Sequence, residues 1–321
     1  MYGLRFWLPI VNPIPTRTMF KRLKVKFKRI NYRVIRYYLL PTLGVSGAKD
    51  KGKDAETGCQ ILSTNTIKFF GERQTLLKVP KDDGIYNFVR VVGQWQANEC
   101  RTVAQALDKI GLNSTNIPTF LDIGGNVGLF SLQVAHMVQS KINIQIVEPL
   151  SLHFNVIRFN LKNAPNIDAL SIHPVALARD QGDAIIYSEN NHFGNTSLDL
   201  KSMSGHNFET NSVKTVKATS FFDELSKDSA VYCIKLDTQG HDALILSAIS
   251  NQMLSKTRFI MTEVWSQTGI LPEYIDRIVQ VCAYFSDIHT TSDPDIQLTP
   301  DDVRKLWSSE DGKTTDLIMA R

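Results

Sequence analysis

The sequence predicts an α/β protein built on a mostly parallel sheet with crossover helices. From residue 118 onward, short apolar runs of strand type alternate with helical segments of roughly 10–15 residues. A glycine turn, Gly124-Gly125-Asn126-Val127-Gly128, follows directly on the first of these runs. With 321 residues, 43% of them apolar, the chain can also bury a sizeable core in about two domains.

The N-terminal stretch stands apart. Residues 1–49 carry 11 Lys and Arg and no acid, which leaves 25 basic and 32 acidic side chains in the remainder, a balance of −7. The overall charge of +4 therefore belongs to a tail, and the acidic body argues against a nucleic-acid partner. Phe20, Leu23, Phe27, Ile30, Val34 and Tyr37 recur at helical spacing with Lys and Arg between them, so residues 16–40 read as a basic amphipathic helix. Such a helix suits peripheral contact with an anionic membrane surface, each nearby cation adding about 1 kcal/mol. A solvated helix packed on its own domain and an organelle presequence are the other readings. Pro41 ends the helix, and residues 44–58 read as a flexible polar linker. Cys59, Cys100, Cys233 and Cys282 show no CxxC or Cys/His pairing, which argues against a metal site and a disulfide framework.

Residues 1–58 are thus expected to be the basic segment and linker, 59–117 a small strand and helix extension, and 118–321 the core domain. In the extension, residues 59–70 and 74–79 alternate as two short strands, and residues 103–112 are helical, with Gly111 near the end. In the core, TFLDIG (119–124), INIQIVEP (142–149), DALSIHPVAL (168–177), AVYCIKLD (230–237) and RFIMTEVW (258–265) are strands. AYFSDIHT and TTDLIMA read as an edge hairpin closing the sheet.

Ligands of an open parallel sheet bind outside the carboxyl ends of its strands. That places a site at the Gly124–Gly128 turn, where glycines allow close approach and the next helix presents free N–H groups. Glu148 ends the second strand, where a carboxylate accepts from ribose hydroxyls, so the pair indicates a nucleoside-containing cofactor. Asp122 would repel a pyrophosphate at the helix N-terminus, and Gly124-Gly125-x-x-Gly128 misses the dinucleotide register. S-adenosylmethionine carries an ammonium and a sulfonium, which a carboxylate beside the turn suits. Asp122 therefore moves the reading from dehydrogenase to methyltransferase; capping of the next helix is its other role.

FLDIGGNVGLFSL, the IVEP strand end, VALARDQG (175–182), TSFFDEL (219–225) and IKLDTQGHDALIL (234–246) together resemble the successive motifs of the FkbM-type methyltransferases. The match runs from about Trp95 to Trp265. It implies a Rossmann-like methyltransferase fold, a seven-stranded mostly parallel sheet of order 3-2-1-4-5-7-6 with helices on both faces. It also implies S-adenosylmethionine as cofactor and O-methylation of a hydroxyl on a small molecule, glycan or lipid. Carried over residue by residue, Asp122, Gly124, Asn126 and Gly128 meet the methionine end of the cofactor, Glu148 the ribose, and Ala176 and Leu177 the adenine. Glu99 resembles a glutamate that contacts the cofactor or caps a helix, and HFGNTS (192–197) resembles a loop over the site. The family pattern Lys-Ile-Asp-Val-Glu-Gly-His-Glu reads here Lys235-Leu236-Asp237-Thr238-Gln239-Gly240-His241-Asp242, so two acids have changed.

Methyl transfer requires a positioned acceptor oxygen and a base for its proton. Asp237 and His241 flank the turn after the fourth strand, and either can serve; an imidazole titrates near 6.5 in water, which suits neutral pH. Lys235, two residues before Asp237, points to the same strand face and either holds Asp237 charged or bonds the acceptor. A structural salt bridge and helix cap is the other role for these three. A non-catalytic methyltransferase-fold scaffold at a membrane surface is the alternative function, raised by Gln239.

Overall fold

The computed structural model describes residues 48–55, 59–64, 75–80, 84–189, 192–198, 208–265, 270–309 and 314–321. The basic helix expected over residues 16–40 lies outside them. The described residues form one compact unit.

The first elements are β1 (Ala48–Lys53), β2 (Gln60–Thr64) and β3 (Thr75–Val79), an antiparallel three-stranded sheet. The expected linker therefore contains a strand. β1 has no apolar alternation to announce it; it pairs with β2 through its backbone, with an irregularity between Asp50 and Gly52. After α1 (Gly84–Val92) and α2 (Ala97–Leu112), two strand–helix repeats and a third strand follow: β4 (Thr119–Ile123), α3 (Leu129–Met137), β5 (Ile142–Val147), α4 (Ser151–Leu161) and β6 (Ile167–His173). A second, four-stranded sheet then forms from β7 (Ala176–Ala178), β8 (Gly182–Glu189), β9 (His192–Ser197) and β10 (Phe208–Lys217), in the order β7-β10-β8-β9. The chain continues through α5 (Ala218–Leu225), β11 (Tyr232–Leu236), α6 (Asp242–Ser247), α7 (Asn251–Lys256) and β12 (Thr257–Trp265). It ends with α8 (Pro272–Cys282), β13 (Asp287–Thr290), α9 (Pro300–Ser308) and β14 (Thr314–Ala320).

The main sheet runs β6-β5-β4-β11-β12-β14-β13, the expected 3-2-1-4-5-7-6 order, with β14 antiparallel to both neighbours. Both faces are buried, because successive residues of each central strand enter opposite cores. Phe120, Cys233 and Phe259 pack on one side, and Leu121, Ile234 and Ile260 on the other. The expected third strand over 168–177 is divided in two. Pro174, which has no N–H for a ladder, separates β6 of the main sheet from β7, which pairs parallel with β10 in the second sheet. Ala176 and Leu177 thus belong to the smaller sheet.

The three-stranded sheet is tied to the core through Asn160 on α4. Its buried amide donates to the Lys78 carbonyl (3.0 Å) and the Val127 carbonyl (2.7 Å) and accepts from the Lys78 N–H (2.7 Å). One side chain therefore links β3 to the glycine turn.

At the centre of the sheet, β4 and β11 lie parallel with Asp122 opposite Lys235. Lys235 Nζ stands 3.2 Å from Asp122 Oδ1, and Ser131 Oγ of α3 donates to Asp122 Oδ2 at 2.6 Å. The pair is closed to solvent, Asp122 being 0% and Lys235 4% exposed, so removing Asp122 leaves the buried ammonium only its longer contact with Asp237 at 3.5 Å. Asp122→Ala is expected to lower the unfolding free energy by roughly 3 kcal/mol, measured by urea denaturation; a loss within experimental error would show that the ion pair is dispensable.

Candidate functional site

The carboxyl ends of β4, β5, β11 and β12 open into a cavity of about 380 Å³. Its floor is the glycine turn. Gly124 has φ +80°, and a Cβ there would lie 1.9 Å from the Asp237 carbonyl oxygen, so only glycine lets the ends of β4 and β11 approach this closely. Gly124 N–H and Gly125 N–H both donate to the Val147 carbonyl, at 2.9 and 3.2 Å, which fastens the turn to β5.

Glu148, Asp237, Glu263, Lys235, His153 and His241 are the ionisable side chains on the wall. Glu148 braces the turn: Asn126 N–H donates to its Oε2 at 2.8 Å, and Leu150 N–H to its Oε1 at 3.0 Å. Lys235 Nζ lies 3.5 Å from Asp237 Oδ2 and 5.1 Å from the centre of the Phe130 ring. Burial depresses the Lys235 pKa, but Asp122 and Asp237 raise it by more, so the ammonium is held above its ordinary value.

Gln239 joins the acids. Its side chain donates to Asp237 Oδ1 (2.8 Å) and to Glu263 Oε2 (3.3 Å), while the Trp265 indole N–H donates to the same Glu263 oxygen. Burial, followed by the Asp237 charge, pushes Glu263 from 4.5 up to about 8. The same two causes raise Asp242 from 3.8 to about 7 and Asp316 from 3.8 to about 6.

The opposite wall comes from Trp95 and Gln96. Buried Gln133 clamps that segment, accepting the Trp95 N–H at 2.7 Å and donating to the Trp95 carbonyl. Four non-glycine residues have φ in the left-handed region among the described residues, and three of them, Gln96, Asn126 and Gln239, line this cavity. Backbone held in a sparsely populated region concentrates at functional sites.

Of the residues expected from sequence, Gly124, Asn126, Glu148, Ala176, Leu177, Lys235, Asp237 and His241 line the cavity together. Two do not. Asp122 stands behind the wall, its carboxylate turned toward α3 and consumed by Ser131 and Lys235. Gly128 sits at the N-cap of α3 with φ 72°, turning the chain into the helix against Ile157. Glu99 occupies the first turn of α2, where an acid complements the helix dipole, and is off the wall. The segment expected as a loop over the site is strand β9, from which Thr196 and Ser197 reach the wall. Gln133 and the Gln239 bridge were missed. A lone glutamine in the apolar run of residues 129–137 was the available signal for the first.

The sheet order with one antiparallel strand, and a cavity above the central strand ends, define an α/β methyltransferase fold. The sequence profile of the methyltransferase FkbM domain matches residues 122–290, and the chain belongs to that family of S-adenosylmethionine-dependent methyltransferases. No curated protein matches the sequence. Solved structures of similar shape include an O-methyltransferase from Bacillus cereus in complex with SAH, at 12% identity over 71% of this chain and 83% of that one, TM-score 0.39. Another is the bifunctional kinase-methyltransferase WbdD, at 10% identity over 70% of this chain and 40% of that one, TM-score 0.39.

Three features of the wall suit S-adenosylmethionine. Carboxylates outnumber the single lysine, which favours a cationic guest. Gly124 leaves a cradle that a side chain would fill. Asn126 Oδ1 is buried without a hydrogen-bond donor among the described residues, an acceptor that an ammonium would satisfy.

The raised carboxylates carry a pH signature. A carboxyl whose folded pKa exceeds its unfolded value stabilises the fold fully below the unfolded pKa and loses that contribution as pH rises through the folded one. The melting temperature is therefore expected to fall between about pH 5 and pH 8.5, and Glu263→Gln to flatten the part of that fall above pH 7. Scanning calorimetry across this range checks it; equal slopes in the two proteins would contradict the assignment.

Proposed function

We propose that this chain transfers a methyl group from S-adenosylmethionine to a hydroxyl of a small molecule, sugar or lipid. The observation that carries the reading is the convergence of Lys235, Asp237 and His241 on the same cavity as the Gly124 turn and Glu148. When bound, the cofactor supplies an electrophilic methyl group on a sulfonium. Gly124 and Asn126 take its methionine end, with Asn126 Oδ1 accepting from the ammonium. Glu148 keeps lone pairs beyond those given to two backbone N–H groups, and these accept from the ribose. Ala176 and Leu177 flank the adenine. Asp122 contributes through Lys235 rather than by contact, and Gly128 through the turn it closes.

At the acceptor end, His241 removes the hydroxyl proton as the oxygen attacks. Asp237, paired with Lys235 at 3.5 Å, orients that hydroxyl. Alignment of the oxygen with the methyl group supplies much of the rate, because displacement at carbon demands an in-line approach.

Calorimetry with S-adenosylmethionine and with its demethylated product should give saturable binding of both. A chain that bound neither would be the scaffold alternative. Incubation with labelled cofactor and fractionated extracts should then identify the acceptor. With it in hand, His241→Ala is expected to cut turnover by ~10²–10⁴-fold; unchanged turnover would remove His241 from the proton transfer.

A further inference from the structure

Gln239 stands where the resembling family has glutamate, and its surroundings give a physical account of the change. Asp237 and Glu263 reach the cavity from the ends of two neighbouring strands, β11 and β12. Two bare carboxylates sharing one site repel each other, and one of them gives up its charge. A glutamate at 239 would add a third. The amide instead spends its donors on both neighbours, at 2.8 Å to Asp237 and 3.3 Å to Glu263.

We propose that Gln239 is a positioning residue whose amide lets Asp237 and Glu263 share the acceptor end of the cavity and, by occupying Glu263 Oε2, directs the proton of that carboxyl to Oε1, where it meets the methyl acceptor. This rests on the methyl-transfer reading above. The two oxygens of Glu263 are unequal. Oε2 receives both the Gln239 amide and the Trp265 indole N–H, whereas Oε1 has no partner among the described residues. A proton on this carboxyl therefore sits on Oε1. Its charged surroundings favour that proton: Asp237 after β11, Asp242 on α6 and Asp316 on β14 all face it with negative charge. Lys235, the cation of the cluster, is already divided between Asp122 and Asp237. Together with burial, these acids hold Glu263 at about 8, so near neutral pH it carries an O–H beside an anionic Asp237. One donor next to one acceptor fits a hydroxyl flanked by a second oxygen: Asp237 accepts from the hydroxyl, and Glu263 donates to the neighbouring oxygen.

The test reads ionisation directly. Full-length protein labelled with ¹³C at glutamate side-chain carboxyls is titrated by NMR, without cofactor or acceptor. Wild type should show one glutamate with a midpoint near 8. In Gln239→Glu the added carboxylate should raise that midpoint by about one pH unit or more. In Gln239→Asn, which tolerates the left-handed backbone but is one methylene too short to span both acids, the midpoint should also move upward, because a donor to the charged form is lost. A wild-type midpoint near 4.5, or a midpoint unmoved in whichever variant folds, would overturn the proposal. Absence of S-adenosylmethionine binding to wild type by calorimetry would instead overturn the methyl-transfer reading and leave the titration result standing.

Discussion

The site depends on one buried ion pair. β4 and β11 are the strands at which the chain's crossovers part, toward β6 on one side and β13 on the other, and clefts of open sheets form at such a point. Asp122 and Lys235 face each other across it, 113 residues apart in sequence. Burying two charges is not in itself a route to stability, because desolvation consumes most of the attraction. What the pair supplies is register. A one-residue slip would leave an unpaired charge in an apolar sheet and would also turn Asp237 away from the rim. With the register held, the Asp237 carbonyl reaches Gly124, and the two strand ends form one continuous wall.

The pair also decides how charge is distributed around the cavity. From sequence, Asp122 was the anion expected to meet a cationic cofactor. In the structure its charge is neutralised inside the wall, and the acids at the rim are Glu148 and Asp237, with Glu263 protonated near neutral pH. The sign of the field is the expected one, but its carriers are different. Alternation along a strand shows that Lys235 and Asp237 share a face. It cannot show that Asp122 joins them, since that requires the pairing of two distant strands.

The rest of the fold divides along the same line. Strands β4, β5, β11 and β12 were legible because buried parallel strands are short continuous apolar runs separated by helical periods. The second sheet was not. Its longest strand, β10, reads FETNSVKTVK, with only Val213 and Thr215 buried and no apolar face to mark it. Pro174 was visible in the sequence, but its effect, sending β7 to another sheet, depends on β10 being there to pair with. For the same reason the Gln133 clamp on Trp95 escaped notice: a glutamine on a helix declares itself only once the backbone segment it holds is known.

Gln239 shows how a local cost indicates what a side chain is kept for. It adopts φ 54° and is followed by Gly240 at φ 106°, so the chain reverses through two consecutive positive-φ residues. For a side chain with a Cβ, the left-handed region costs about 1–2 kcal/mol, which glycine at 239 would avoid. Glycine could not, however, bond Asp237 or Glu263. A hydrogen bond to a charged group such as Asp237 contributes roughly 1.5–3 kcal/mol, enough to offset that strain. The backbone at this position thus tolerates a conformation suited to glycine because the amide it carries satisfies two acids at once. A glutamate in the same turn would bear the same strain and add repulsion in place of those bonds.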